Sequence, residues 1–331
     1  MSAVLPDVTT PLGEAEAEAA FAAVLDGAVG DQAIAAFLMA LSARGETAEE
    51  IAGAARAMRA RLIPIDAPAG AIDVCGTGGD GHHTVNVSTA VSLVVAASGV
   101  PVAKHGNRAA SSKAGAADTL EVLGLNLAKL GETAQATLGD LGICFLFAGN
   151  HHPAMGRIQP IRRAIGQRTI FNLMGPLANP ARVDHQLIGI ARPAYVPIYA
   201  AALASLGTAR SMIVSGDEGL DELSLAGGNE VAEVAGHDYT MHRMSAADAG
   251  LAVAPVEAIR GGDAAFNARA LRALLQGERG AYREAVLFNS AAALIVAGHV
   301  ADWREGVEEA AETLDKGLAN TLLDCWIAAT K

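Results

Sequence analysis

A handful of short stretches concentrate the side chains and backbone able to do chemistry. Gly76-Thr-Gly-Gly-Asp-Gly81 satisfies G-x-G-x-x-G, a spacing that lets backbone amides approach a phosphate closely. A dinucleotide site would also want an acidic residue about 20 residues on, at the end of the second strand, to hold ribose hydroxyls. Here that strand ends in Lys104-His105, and a cation there suits phosphate instead. Asp80 inside the loop would repel a bare pyrophosphate unless a metal, a ribose hydroxyl or a protonated partner offset it. Alone, these six residues read equally well as a glycine-rich turn without a ligand.

Asn86-Val-Ser-Thr89 precedes the apolar stretch 90–97, so Asn86 or Ser88 can cap a helix whose free N–H groups attract anions. Ser88 and Thr89 hydroxyls suit phosphate oxygens or a hard cation, although ordinary capping accounts for the tetrad in isolation. Lys104-His-Gly-Asn-Arg-Ala-Ala-Ser-Ser-Lys113 gathers three cations, an imidazole, an amide and two hydroxyls in an otherwise acidic chain. Following a strand, one helix beyond the glycine loop, it makes a second phosphate-seeking element at one sheet edge. Such a ligand calls for magnesium, which enters phosphate sites through one or two carboxylates. Asp221-Glu222 supplies that pair, with Asp217 and Glu218 as competitors.

Between these lie Asn150-His-His-Pro-Ala-Met-Gly-Arg157, Arg162-Arg163 and Phe171-Asn-Leu-Met-Gly-Pro-Leu-Ala-Asn-Pro180. His151-His152 lacks the spacing of a zinc site and suits polar contact to a carboxylate. Either arginine of the pair could take a carboxylate bidentately, and spacing does not choose between them. The last run is expected to be a loop whose Gly175-Pro176 borders a pocket. No G-x-S-x-G or Cys-His arrangement supports covalent acyl chemistry, which leaves electrostatic catalysis on a phosphorylated substrate.

The elements that must position these groups follow from pattern. Residues 10–61 carry helical apolar spacing, with Thr47-Ala-Glu-Glu50 as a capping-box start for a helix to about Leu62. A linker over 63–70 then divides a helical unit, 1–68, joined by a later segment near 160–182, from an α/β unit over 71–331. Short apolar runs at 71–75, 100–103, 144–147, 187–190 and 212–214 alternate with helical patterns, which implies a mostly parallel sheet. An antiparallel extension is expected at 231–234 and 239–241, and helices from 264 to 330. The fold class is therefore α/β with a small all-helical domain.

The 331 residues allow about two domains at roughly 150 residues each. With 51% hydrophobic and 18% charged residues the chain must fold. A net charge of −12 argues against nucleic-acid binding. Three scattered cysteines, Cys75, Cys144 and Cys325, point to a reducing, cytoplasmic setting. Neither a membrane span nor a signal peptide is read.

Taken in order, Gly76-Thr-Gly-Gly-Asp80, Asn86-Val-Ser-Thr89, Lys104-His-Gly-Asn-Arg108 through Lys113, His151-His-Pro-Ala-Met155, Thr169-Ile-Phe-Asn172 with Gly175 to Pro180, and Gly219-Leu-Asp-Glu222 resemble the anthranilate phosphoribosyltransferase family over nearly the whole chain. The resemblance implies a nucleoside phosphorylase-like fold, a homodimer formed through the small domains, and the second dedicated step of tryptophan biosynthesis. In that step anthranilate and 5-phosphoribosyl diphosphate (PRPP) become N-(5-phosphoribosyl)anthranilate and diphosphate, with Mg2+ required. It further implies PRPP binding by Gly76, Gly79, Asp80, Thr84, Asn86, Val87, Ser88, Thr89, Lys104, Asn107, Arg108, Ser111, Ser112 and the position of Ala116. Anthranilate would meet Gly76, Asn107, His105, His152, Arg162, Gly175 and Pro176. Magnesium would meet Ser88, Asp221 and Glu222, with Lys104, Asp221 and Glu222 as the catalytic group. Ala116 departs from the family, many of whose members place a hydroxyl there, and His82-His83 is assigned no role. Rivals are a pyrimidine nucleoside phosphorylase, a non-catalytic nucleic-acid-binding relative and, more remotely, a dinucleotide oxidoreductase.

Overall fold

The computed structural model describes residues 3–109 and 113–331. The helical opening divides into α1 (Glu14–Leu25), α2 (Asp31–Arg44) and α3 (Ala48–Arg59). The expected capping box forms at the start of α3. Thr47 Oγ1 accepts the Glu50 amide at 3.3 Å, and Glu50 returns an oxygen to the Thr47 amide at 2.9 Å. Glu50 also accepts the Leu12 amide at 2.9 Å and pairs with Arg44, so one buried carboxylate ties three segments together. The helix stops at Arg59 rather than Leu62. α1 and α3 cross at Gly53, where a Cβ would stand 2.4 Å from the Glu14 carbonyl; no larger residue permits that approach.

Seven strands follow: β1 (Ile72–Gly76), β2 (Val102–Gly106), β3 (Ile143–Phe147), β4 (His185–Gly189), β5 (Arg210–Gly216), β6 (Gly228–Ala235) and β7 (Asp238–Ser245). Their spatial order is β3-β2-β1-β4-β5-β6-β7. The first five are parallel, and β6 and β7 are the antiparallel extension foreseen in the sequence. Since the chain winds outward from β1 in one direction to β3 and in the other from β4 to β5, the sheet reverses between β1 and β4. Ligands of such sheets bind beyond the strands' carboxyl ends at that reversal. Gly76 and Gly189, the last residues of β1 and β4, are register partners there.

α4 (Val87–Ala97), α5 (Ala116–Leu123) and α6 (Leu130–Leu141) alternate with the strands, the single turn α7 (Ala148–His151) follows β3, and α11 (Ala264–Leu275), α12 (Ala281–Val296), α13 (Trp303–Asp315) and α14 (Leu318–Ala329) close the chain. α4, α12, α13 and α14 share one apolar core with Ile72, Val102, Leu187 and Val214 of the sheet. A second core joins α1, α2 and α3 to α8 (Met155–Ile165), α9 (Met174–Leu177) and α10 (Val196–Leu206), and to Ile188 and Ile213 on the sheet. The segment 171–180, expected as a loop, instead holds part of a 3-10 turn, Ile170–Asn172, followed by α9. Its apolar Phe171, Leu173, Met174 and Leu177 are buried in the second core, and that burial overrides the turn-forming residues between them. No helix described here is long and apolar enough to cross a membrane.

Candidate active site

β1 delivers the chain directly into the glycine loop. Gly78 and Gly79 have φ of +69° and +72°, a left-handed pair that side chains resist. The Gly78 amide donates to Asp221 Oδ2 at 2.6 Å, and the Thr77 amide to the Gly189 carbonyl at 2.9 Å. A Cβ on Gly76 would lie 2.3 Å from Asp221 Oδ2, and one on Gly189 would lie 1.6 Å from the Asp221 carbonyl oxygen. The segment carrying Asp221-Glu222 thus lies directly across the ends of β1 and β4. Among the described residues, the Gly79, Asp80 and Gly81 amides take no protein acceptor.

Burial, with the Asp80 carboxylate nearby, raises the Asp221 pKa to about 7, and burial beside Asp221 raises Glu222 well above the usual carboxylate range. The Ser88 amide at the start of α4 bonds Glu222, and Lys104 attracts it. Lys104 itself is buried, donating Nζ to the Val74 carbonyl at 2.6 Å and to Ser88 Oγ at 3.2 Å. Loss of hydration lowers its pKa, opposed by Asp73, Cys75 and Glu222. Asp217 and Glu218, the competing acids, are engaged elsewhere, Asp217 with Arg243 at 2.6 Å and Glu218 with Ser224 Oγ.

The start of α4 corrects one expectation, because neither Asn86 nor Ser88 caps it through its side chain. Asn86 Oδ1 instead accepts Thr119 Oγ1 at 2.6 Å and Asn267 Nδ2 at 3.0 Å, and its carbonyl accepts the Tyr282 hydroxyl at 3.1 Å. It binds the helix start to α5, α11 and α12. Val87 is buried, and Thr89 is buried with its hydroxyl unpartnered. Thr84 lies two residues before Asn86, bridged to Arg260.

In the basic loop, Asn107 is exposed and its side chain accepts the Arg108 amide at 2.8 Å. Arg108 turns to α5, pairing with Asp118 at 2.8 Å and Glu121 at 2.9 Å. Asp118 also accepts the Ala109 and Gly115 amides at 2.9 Å, which fixes both ends of the loop. Ala116 is the first residue of α5. Ser111 and Ser112 lie outside the described residues.

Beside it, His105 Nδ1 lies 2.8 Å from the Gly175 carbonyl, and its Nε2 lies 3.2 Å from His152 Nε2. A carbonyl only accepts, so His105 carries its proton on Nδ1 and receives the His152 N–H at Nε2. Burial lowers the two pKa values to about 3 and about 4. His151 Nδ1 meets the Ile63 carbonyl at 2.9 Å. Pro176 is buried and its carbonyl accepts Gln186 Nε2 at 2.7 Å. The structure separates the two arginines. Arg163 is exposed, whereas Arg162 is partly buried, 5.9 Å from the Phe171 ring, with no carboxylate partner among the described residues.

Two residues of this region escaped the sequence reading. Asp73 is fully buried within β1, accepting the His105 amide at 3.0 Å and the Cys75 thiol at 3.3 Å. A lone acid inside an apolar strand was its available signal. Arg168 donates to the carbonyls of Gly78 and Gly79 at 3.0 and 2.8 Å, and nothing in its local sequence marks that long-range contact.

Residues 69–320 match the "Glycosyl transferase family, a/b domain" and residues 9–62 the "helical bundle domain" of the same family. The chain is therefore a glycosyl transferase of this two-part class. An anthranilate phosphoribosyltransferase of Novosphingobium aromaticivorans is 76% identical over 326 residues, covering 98% of this chain and 99% of the relative. The crystal structure of anthranilate phosphoribosyltransferase from Thermus thermophilus superposes with a TM-score of 0.92 at 42% identity, over 98% of this chain and 97% of that one. The enzyme from Saccharomyces cerevisiae in complex with PRPP and Mg gives 0.87 at 28% identity, over 96% and 93%. The chain belongs to the anthranilate phosphoribosyltransferase family, and it is an enzyme acting in tryptophan biosynthesis.

Proposed function

We propose that this enzyme joins the amine of anthranilate to C1 of PRPP without a covalent enzyme intermediate. The C1–O bond to diphosphate breaks through an oxocarbenium-like state, the leaving oxygen keeps the electron pair, and the amine lone pair forms the C1–N bond from the opposite face. The nitrogen then gives its extra proton to solvent water. A neutral aryl amine is already nucleophilic, so the protein's task is to hold it near C1 and to neutralise the leaving group.

The observation that carries this reading is the convergence of Gly78 on Asp221 at 2.6 Å and of Lys104 on Ser88 at 3.2 Å, at the reversal point of the sheet. Gly76, Gly79, Asp80, Thr84, Asn86, Val87, Ser88, Thr89 and Lys104, with Asn107, Arg108, Ser111, Ser112 and the backbone at Ala116, would hold PRPP. The open amides after Gly78 would receive its phosphate oxygens. His105, His152, Arg162, Gly175 and Pro176, with Gly76 and Asn107, would hold anthranilate, Arg162 meeting its carboxylate as a cation with no acidic partner among the described residues.

Ser88, Asp221 and Glu222 would hold magnesium. Their donors are all oxygen, as a hard cation requires; burial raises both carboxylates and the neighbouring acids add to it, and a cation would offset both. When bound, magnesium would offset the charge of the departing diphosphate. We also propose a homodimer through the helical units, a unit boundary near 68–71 with residues 160–182 joining the helical side, and a cytoplasmic setting, which three free cysteines favour.

The test mixes purified protein, magnesium, anthranilate and PRPP and follows loss of anthranilate fluorescence. Consumption that requires all components supports the reading. Phosphorolysis of pyrimidine nucleosides without anthranilate consumption overturns it.

A further inference from the structure

The glycine loop is held from two sides by different parts of the molecule. Asp221 takes the Gly78 amide. On the opposite side, a single nitrogen of Arg168, Nη1, donates to the Gly78 carbonyl at 3.0 Å and the Gly79 carbonyl at 2.8 Å. Two successive left-handed residues, φ +69° and +72°, place both carbonyls within reach of one guanidinium nitrogen. With those carbonyls engaged, the Gly79, Asp80 and Gly81 amides remain for an anion.

Arg168 does not belong to the sheet. It lies between α8 and the 3-10 turn, and its flanking residues Ile161, Ile170 and Phe171 are buried in the same core as α1, α2 and α3. Its own carbonyl accepts Ser42 Oγ of α2 at 3.0 Å. The arginine also lines a cleft with Ser42, Thr77 and Arg192, between the helical unit and the ends of β1 and β4. Ser42, Arg168 and Gly78-Gly79 therefore form a bonded path across that cleft. Arg168 has no salt bridge among the described residues, and the acids that favour its charge are Asp221, Asp80 and Glu46. Burial and Arg192 act against it.

We infer that Arg168 is a positioning residue that sets the glycine loop in its anion-receiving conformation and makes that conformation depend on the placement of the helical unit. It acts through the loop carbonyls and not by touching substrate. The inference rests on the PRPP role proposed for this loop.

Steady-state kinetics of wild type, Arg168→Ala, Arg168→Lys and Ser42→Ala test it, alongside calorimetric binding of inorganic diphosphate with magnesium and thermal melting. Arg168→Ala is expected to raise the apparent KM for PRPP and to weaken diphosphate binding, each by about tenfold or more, as loss of two charge-assisted hydrogen bonds warrants. The KM for anthranilate should stay within about twofold and the melting temperature within a few degrees. Added guanidinium should restore part of the loss. Arg168→Lys should recover only in part, because an ammonium on a flexible stem lacks the planar fork, and it serves as the reading if the alanine variant does not fold. Ser42→Ala should show a smaller change of the same kind. Unchanged PRPP and diphosphate affinity in both Arg168 variants would overturn the inference. So would equal rises in both substrate KM values accompanied by a lowered melting temperature. Wild-type protein that consumes no anthranilate would defeat the functional reading instead, and the diphosphate titration would still decide the role of Arg168.

Discussion

Asp221 occupies the space that a side chain at position 76 would need: its Oδ2 lies 2.3 Å from an ideal Cβ on Gly76. The same oxygen accepts the Gly78 amide at 2.6 Å. A methyl group at 76 therefore evicts the carboxylate that holds the loop. Gly76→Ala is expected to lower kcat/KM by on the order of 10²-fold, the scale of losing one preorganised electrostatic partner. Gly156→Ala, on α8 with nothing within 4 Å of its added Cβ, should leave kinetics unchanged and melting equal or slightly higher. Equal activity of Gly76→Ala and wild type would show that Asp221 need not stand where it does.

Removing charge from the acidic doublet separates its electrostatic role from its shape. Asp221→Asn with Glu222→Gln should reduce turnover by roughly 10²- to 10³-fold and raise the magnesium concentration needed for half-maximal rate. Magnesium titrations of initial rate at fixed substrates make the comparison. Superimposable titrations would remove both residues from the metal site.

The two adjacent arginines make a paired experiment. Arg162 is partly buried against Phe171 without a carboxylate partner among the described residues, and Arg163 is exposed. Arg162→Ala should raise the KM for anthranilate by about tenfold or more, as loss of a charge-assisted pair implies, with the KM for PRPP little changed. Arg163→Ala should match wild type in both. The reverse pattern would transfer the carboxylate contact to Arg163.

How far the sequence revealed the molecule follows from the range over which each signal acts. Alternating apolar runs announced five parallel strands and the antiparallel pair β6-β7, because strand burial is written locally in residue type. The Thr47-Glu50 box was likewise legible, since cap and partner are three residues apart. Asn86 was misjudged for the opposite reason: its partners Thr119, Asn267 and Tyr282 are remote in sequence, and they outbid a local cap. The run 171–180 carries turn-forming residues, yet its apolar members fold it against the helical core. The glycine loop, Lys104 and the acidic doublet could each be identified in type. Their placement at strand carboxyl ends was legible too, whereas the contact of Asp221 with Gly78 required the strand order, and Arg168 the packing of α8 against α2.

The imidazoles of His105 and His152 offer a check that needs no substrate. Gly175 fixes the proton of His105 on Nδ1, and His152 donates to its Nε2 at 3.2 Å; a second proton on His105 would break that donation. Burial, the main cause, holds the two pKa values at about 3 and about 4, below the ordinary 6.5. Between pH 6.5 and 4 the unfolded chain therefore binds protons that the native pair refuses, so these groups make stability rise with pH. Asp221, raised to about 7, acts in the opposite sense over the same interval, so only a difference between variants isolates the histidines. His152→Gln keeps a donor for His105 Nε2 and removes one titrating group. Urea unfolding at several pH values should show wild type losing up to about 1.4 kcal/mol more per pH unit than His152→Gln as the pH falls from 6.5 to 4, the limit for one proton. Parallel curves for the two proteins would mean that His152 takes up its proton alike in the native and unfolded states, and the shielding of this pair from protonation would then be wrong.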